Sequence, residues 1–197
     1  MAGIGCDDTI AAVATAAGQG AVGIVRVSGP EAVAIVDKVF CARSRRPLGA
    51  QPSFTVRLGW IVPDAVRARQ TAGRPAGAVD EVLVSVMRAP RSYTREDVVE
   101  VSAHGGLRAV AAILDLILAG GARLAEPGEF TRRAFLNGRL DLAQAEAVLD
   151  VIRAKGERAL KNSERQLAGE LSRLFGDLRA GLLGILADME AVVDFPE

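Results

Sequence analysis

The chain has 197 residues, 50% hydrophobic and 24% charged, with Lys+Arg 24 against Asp+Glu 24. A formal net charge of zero argues against a dedicated nucleic-acid clamp or a membrane-surface protein, since both rely on a basic field. The length allows roughly one to two domains, enough to bury a proper core. Cys6 and Cys41 are far apart and match no C-x-x-C or zinc spacing, so a disulfide scaffold is out and a reducing, cytoplasmic compartment is expected. No targeting segment is expected either. The first ten residues carry two aspartates where a signal peptide needs Lys or Arg. The longest apolar stretch, Val110 to Ala119, is broken by Asp115 and falls far short of the ~20 residues a bilayer requires.

Up to about residue 140, β-branched runs alternate with Gly/Pro punctuation; beyond it the apolar residues recur at helical spacing. Strands read at about Thr9–Ala14, Val22–Ser28, Ser53–Val62, Glu81–Arg88 and Val98–Ala103. The second alternates cleanly, with Val22, Ile24, Arg26 and Ser28 on one face and Gly23, Val25 and Val27 on the other. A helix is predicted from Pro30, with Glu31 at the positive end of its dipole, and another from about Gly106 to Leu118, stopping at Gly120-Gly121. Arg67–Gly77 reads as a solvated loop. From Leu140 the pattern is helical and is interrupted at Gly156. Beyond that, leucine-rich positions from 160 to 192 step by three and four, predicting one helix of about 38 residues, ~57 Å long. Such a seam wants partner helices, from elsewhere in a longer chain or from a second copy.

Gly18-x-Gly20-x-x-Gly23 satisfies a dinucleotide-binding pattern, but its last glycine lies inside a strand and no helix starts there. A tight turn between the first two strands is the better reading. Arg26 and Glu100 are more informative, because each is a charge on an otherwise apolar strand face and must be paired or ligand-bound. Either they pair with each other, or they line a pocket for a ligand that offers both N–H donors and a negative group. His104, the one histidine, opens the second helix in His104-Gly105-Gly106; a capping or packing role is expected for it. Glu126-Pro127-Gly128-Glu129-Phe130-Thr131 reads as a turn into a short helix ended by Asn137-Gly138. These residues supply no nucleophile–base pair and no metal cluster.

Several stretches together resemble one family. They are Asp8-Thr9-Ile10 with ATAAGQGAVGIVRVSG (14–29), SYTREDVVEVSAHGG (92–106), EPGEFTRRAFLNGRLDLAQAEAVLD (126–150) and the closing AVVDFPE (191–197). In this order they are similar to the bacterial tRNA-modifying GTPases called MnmE or TrmE. The resemblance implies an α+β fold: a mixed-sheet, aminomethyltransferase-like, tetrahydrofolate-binding and dimerisation domain over 1–138, then the first part of a helical domain over 139–197. It implies a homodimer acting with the flavin-dependent partner MnmG (GidA) on the C5 position of a tRNA wobble uridine, with a reduced folate, 5-formyl-tetrahydrofolate in the ligand-bound form, supplying the one-carbon unit. By the same resemblance Arg26, Glu100 and Arg139 contact the folate, Glu100 meeting the pterin edge and the two arginines its polar rim or carboxylate end. Arg139 stands where lysine is usual, and Ala16 where the turn normally has proline. No G-x-x-x-x-G-K-[ST] occurs, so GTP, Mg and K are expected only in a G domain outside this sequence. The chain is therefore expected to bind folate, to hydrolyse no GTP and to bind tRNA only weakly by itself. Two rivals remain. One is a structural dimerisation module in which Arg26 and Glu100 satisfy each other; the other is a free-standing aminomethyltransferase-like folate enzyme.

Overall fold

A computed structural model describes residues 7–64 and 73–194, which divide between two units, Met1–Asn137 and Gly138–Glu197. In the first unit the strands are β1 (Ile10–Val13), β2 (Val22–Ser28), β3 (Phe40–Ala42), β4 (Thr55–Ile61), β5 (Asp80–Met87), β6 (Val98–His104) and β7 (Arg123–Leu124). They form one mixed sheet of order β3-β4-β5-β6-β2-β1-β7, in which only the β1–β7 pair is parallel. Helices α1 (Ala32–Val39) and α2 (Leu107–Ala119) cover one face. The core lies between them and the sheet, built from Val25 and Val27 of β2, Val82, Val84 and Val86 of β5, Val99 and Val101 of β6, and Ile35, Val36, Ile113 and Ile117 of the helices. The fold class is the expected α+β.

The glycine pattern is explained by backbone conformation at Gly18 and by close packing at Gly23 and Gly105. Gly18 holds a positive φ of 134° in the β1–β2 connection. Gly20 donates its N–H to the Gly105 carbonyl at 3.1 Å, and a side chain on Gly105 would meet the Gly20 carbonyl at 2.3 Å. Gly23 lies under Val110 of α2, whose methyl would sit 2.3 Å from an added Cβ. This is a turn and a close approach of backbones, as expected in place of a dinucleotide loop.

Some boundaries differ from the sequence reading. The first helix begins at Ala32 with Glu31 as its N-cap, and the Glu31 N–H, which has no partner within the helix, donates to the Thr9 hydroxyl at 3.0 Å. Strands β3 and β7, of three and two residues, are not visible as patterns; they exist because β4 and β1 offer them open edges. The loop expected at Arg67–Gly77 lies largely outside the described residues.

Helix α3 (Glu129–Leu136) is fastened to the sheet unit by a buried charge. The Arg133 side chain is 0% exposed. It reaches Asp8 Oδ1 at 2.6 Å, Glu129 Oε1 at 3.2 Å and Glu96 Oε1 at 3.3 Å, and donates to the Asp8 carbonyl at 2.8 Å. Arg123 of β7 adds a second guanidinium at 2.6 Å from Glu129 Oε1 and 2.7 Å from Asp8 Oδ2.

The second unit contains α4 (Leu142–Arg153), α5 (Glu157–Leu167) and α6 (Glu170–Asp194). Asp141 and Gln144 close a reciprocal capping box at the start of α4. Helices α4 and α5 are clasped by Gln144 Nε2 donating to the Leu167 carbonyl and Gln166 Nε2 donating to the Ala143 carbonyl. The single long helix predicted beyond Gly156 is in fact two. Gly169 takes φ +81°, the left-handed conformation that a glycine accepts and a leucine-rich helix does not, and the chain turns there. On α6, Leu174, Leu178, Leu182, Ile185 and Met189 are all about 60% exposed, so within this unit the apolar seam is uncovered.

The Arg133 cluster sets an acid dependence. Hydrogen bonding from Arg123 holds the Glu129 carboxyl down to about 2 from its usual 4.5, although its burial opposes this. A lowered pKa stabilises the fold fully above about pH 4.5, and that contribution is lost as pH falls toward 2. Urea unfolding followed by circular dichroism should show stability declining over this window. Glu129→Gln should be about 3 kcal/mol less stable at pH 7 and should lose most of that slope.

Candidate functional site

The face of the sheet away from α1 and α2 carries the two charges singled out in the sequence. Arg26 and Glu100 are direct cross-strand partners on β2 and β6, and the same row continues through Ser85 to Val56 on β4. Arg26 Nε and Nη2 both approach Glu100 Oε1, at 2.8 Å and 2.7 Å. The side chains are 28% and 24% exposed, so the pair is shielded and yet reachable. Glu100 Oε2 accepts no hydrogen bond among the described residues, which leaves one carboxylate oxygen free to receive a donor.

Two aromatic rings complete the site. The Arg26 guanidinium carbon lies 5.4 Å from the centroid of Tyr93 and 5.6 Å from that of Phe130, both within cation–π range. Phe130 is placed by the first turn of α3, which the Arg133 cluster holds in position. Tyr93 comes from the β5–β6 connection, and its hydroxyl is 2.9 Å from the Thr131 hydroxyl on α3. That connection is pinned by Ser28, whose hydroxyl lies 2.6 Å from both Thr94 Oγ1 and Glu96 Oε2. Asn137 closes it from the other side, donating to the Thr94 carbonyl at 2.6 Å. The sequence reading did not single out either ring. A usable signal was present, since Tyr93 is the one tyrosine and Phe130 follows the helix-starting Pro127-Gly128-Glu129.

Arg139, the third residue singled out, is exposed and lies in the second unit, two residues before the Asp141 cap. The first unit thus brings Arg26 and Glu100 together, and Arg139 belongs to a different body. His104 neither caps α2 nor packs. The N-cap is Gly106, without a side-chain bond, and the ring is 76% exposed. What holds His104 is Asp80, which accepts from its backbone N–H at 2.8 Å and touches Nδ1 at 2.7 Å.

A pair of this kind can bind a flat, polar heterocycle. The free carboxylate oxygen takes N–H donors, the guanidinium takes an oxygen or a negative group, and the rings supply apolar faces. No group of three or more His, Cys, Asp or Glu side chains suited to a metal occurs among the described residues.

Comparison with known proteins decides the family. The family model described as "GTP-binding protein TrmE N-terminus" matches residues 9–139, and "MnmE helical domain" matches 142–197. The chain belongs to the MnmE/TrmE family. Proteins called tRNA modification GTPase MnmE are 55% identical over 191 residues in Carboxydothermus hydrogenoformans and 56% identical over 191 residues in Moorella thermoacetica. The one from Lysinibacillus sphaericus is 52% identical over 190 residues. These alignments cover 96–97% of this chain but only 39–40% of each relative's length. None of the helices described is long and apolar enough to cross a membrane.

The pair's own strength is measurable. A double-mutant cycle on Arg26→Ala and Glu100→Ala, read by urea denaturation, should return a coupling of about 1 kcal/mol, as for a partly shielded ion pair. A coupling near zero would mean that desolvation and side-chain ordering cancel the pair's attraction.

Proposed function

We propose that this chain is the folate-binding and dimerisation part of an MnmE-type enzyme that modifies C5 of the tRNA wobble uridine in the cytoplasm. The observation that carries the reading is the Arg26–Glu100 pair between the Tyr93 and Phe130 rings, with one Glu100 oxygen unengaged. The donor set suits a reduced folate. Its pterin edge is a cyclic guanidine, which a carboxylate receives in the way it receives arginine. In this reading Glu100 binds that edge, Arg26 holds the polar rim, and the rings exclude water from the ring faces. Arg139 would add a positive charge toward the acidic end. Bound folate would contribute the one-carbon unit, and this chain's residues would orient it.

Dimerisation is supported by the composition of the same sheet face. Val22, Val56, Leu58 and Leu83 are 55%, 60%, 37% and 48% exposed, an apolar surface that a second copy would cover. The uncovered seam on α6 calls for further helices, which the remaining length of the relatives would supply. GTP hydrolysis, with Mg and K, is assigned to that remaining length, and MnmG and tRNA to the assembled enzyme. A second reading has its own support: both Arg26 nitrogens lie on one Glu100 oxygen, as they would in a purely structural pair within a dimerisation module.

Calorimetric titration of 5-formyl-tetrahydrofolate, with light scattering on the same samples, separates the two. The folate reading expects saturable binding by a dimer, weakened at least tenfold in Glu100→Gln without loss of folding. A folded dimer that binds no folate, or a Glu100→Gln variant that binds as well as the parent, would leave the structural reading.

A further inference from the structure

Five arginines of the first unit, Arg26, Arg88, Arg123, Arg132 and Arg133, each have a carboxylate within ion-pair distance. Several others stand together in one region. Just past β3 the sequence runs Arg43-Ser44-Arg45-Arg46, and these residues share a corner of the unit with Arg74. There a concavity of about 410 Å³ is lined by Arg43, Arg45, Trp60, Gly73 and Arg74, none of the described lining residues being a carboxylate. Arg43, Arg46 and Arg74 are exposed, and their side chains make no hydrogen bond or ion pair with any described residue.

The region is built and not merely charged. Arg45 has a φ of +60°, uncommon for a residue with a side chain, and its N–H bonds the Ala42 carbonyl at 2.8 Å. Its guanidinium donates to the Gly73 carbonyl at 2.8 Å, tying the segment after β3 to the one before β5. The following turn is fastened by Arg57, which donates to the Pro47 carbonyl at 3.0 Å, and by Arg88, which donates to the Gly49 carbonyl at 3.1 Å. The positive groups therefore stand on a fixed frame, with the Trp60 indole, 9% exposed, in the floor. Exposed guanidinium groups such as those of Arg43, Arg46 and Arg74, gathered around an aromatic edge, are what a phosphodiester chain selects.

We propose that this concavity is a contact site for an RNA backbone, engaged through Arg43, Arg74 and the adjacent Arg46. RNA is the polyanion chosen because the curated relatives are named for tRNA modification. The site does not depend on the folate reading, since it shares no residue with the Arg26–Glu100 pair. It also accommodates a chain of zero net charge, because binding through a few local charges is weak overall, with a salt slope of only about one per phosphate contacted.

The test is fluorescence anisotropy of a labelled tRNA transcript with the 197-residue chain, from about 50 to 200 mM KCl. Emission from Trp60, the one tryptophan, is followed in parallel as a report from the site itself. The parent chain should bind at low salt and change its Trp60 emission on binding. The triple variant Arg43→Gln, Arg46→Gln, Arg74→Gln should lose at least tenfold in affinity, and its salt slope should fall by about two. A control triple at the exposed helical residues Arg153→Gln, Arg158→Gln and Arg179→Gln removes the same charge and should bind nearly as the parent does. Any of four results overturns the proposal: no binding by the parent at low salt, equal losses in both triples, an unaffected first triple, or binding that leaves Trp60 unchanged. Circular dichroism on each variant keeps unfolding from counting as loss of binding.

Discussion

The first unit depends on one guanidinium that water does not reach. Arg133 is fully buried, and an isolated charge in that position would be prohibitively unfavourable. It is tolerated because Asp8, Glu96 and Glu129 converge on it from three separate parts of the chain. Asp8 leads into β1, Glu96 sits in the β5–β6 connection, and Glu129 opens α3. Their mutual requirement holds three segments in one arrangement that no apolar contact of so short a helix could specify. A buried ionic cluster is poor evidence of net stability, since desolvation offsets most of its Coulomb attraction. Its consequence here is geometric. The helix turn and the connection that it fixes are the two that carry Phe130 and Tyr93 to within cation–π range of Arg26.

A second constraint comes from the sheet. Alternation along β2, β5 and β6 sends valines to the helix-covered face and leaves the other face mixed, with Leu58 and Leu83 beside Ser85, Glu100 and Arg26. Cross-strand register decides what that mixture can do. Arg26 and Glu100 oppose each other directly, so one charge cannot move without leaving the other half-shielded and unpaired. A ligand that replaces part of this pairing must bring donors and acceptors of its own, which favours polar heterocycles over purely apolar molecules. The surrounding apolar surface, by contrast, has no ligand-like chemistry and is suited to another protein surface.

Much of this was legible in the sequence, because strand alternation and glycine punctuation report directly on burial and backbone approach. The faces of β2, the incompatibility of Gly18, Gly20 and Gly23 with a dinucleotide loop, and the end of α3 at Asn137-Gly138 all follow from local rules. The failures share a cause, which is that the deciding contact is distant in sequence. β7 is a strand only because β1 presents an edge, and the Glu31 N–H at the start of α1 is met by Thr9, 22 residues earlier. His104 is held by Asp80, 24 residues earlier, and nothing around the His-Gly-Gly sequence announces that. Gly169 divides the long helix with a left-handed turn that the leucine spacing around it does not announce. In the candidate site the charges were legible as misfits on an apolar face. The rings beside them were not, since Tyr93 and Phe130 fit unremarkably in their own segments and meet Arg26 only through the fold.

Charge distribution connects these features. Zero net charge could arise from uniform mixing, in which case no surface would favour any partner. The arrangement found is uneven: carboxylates are concentrated around Arg123, Arg132 and Arg133, where they serve the architecture, and none is among the described residues lining the concavity beside Trp60. Neutralising structural arginines consumes acidic residues in one region and so leaves a local excess of positive charge in another. Total charge therefore constrains long-range attraction, which falls off within about 8–10 Å at ordinary salt, and says little about contacts shorter than that. A chain with no overall field can still discriminate among partners at close range, by where its unpaired charges stand.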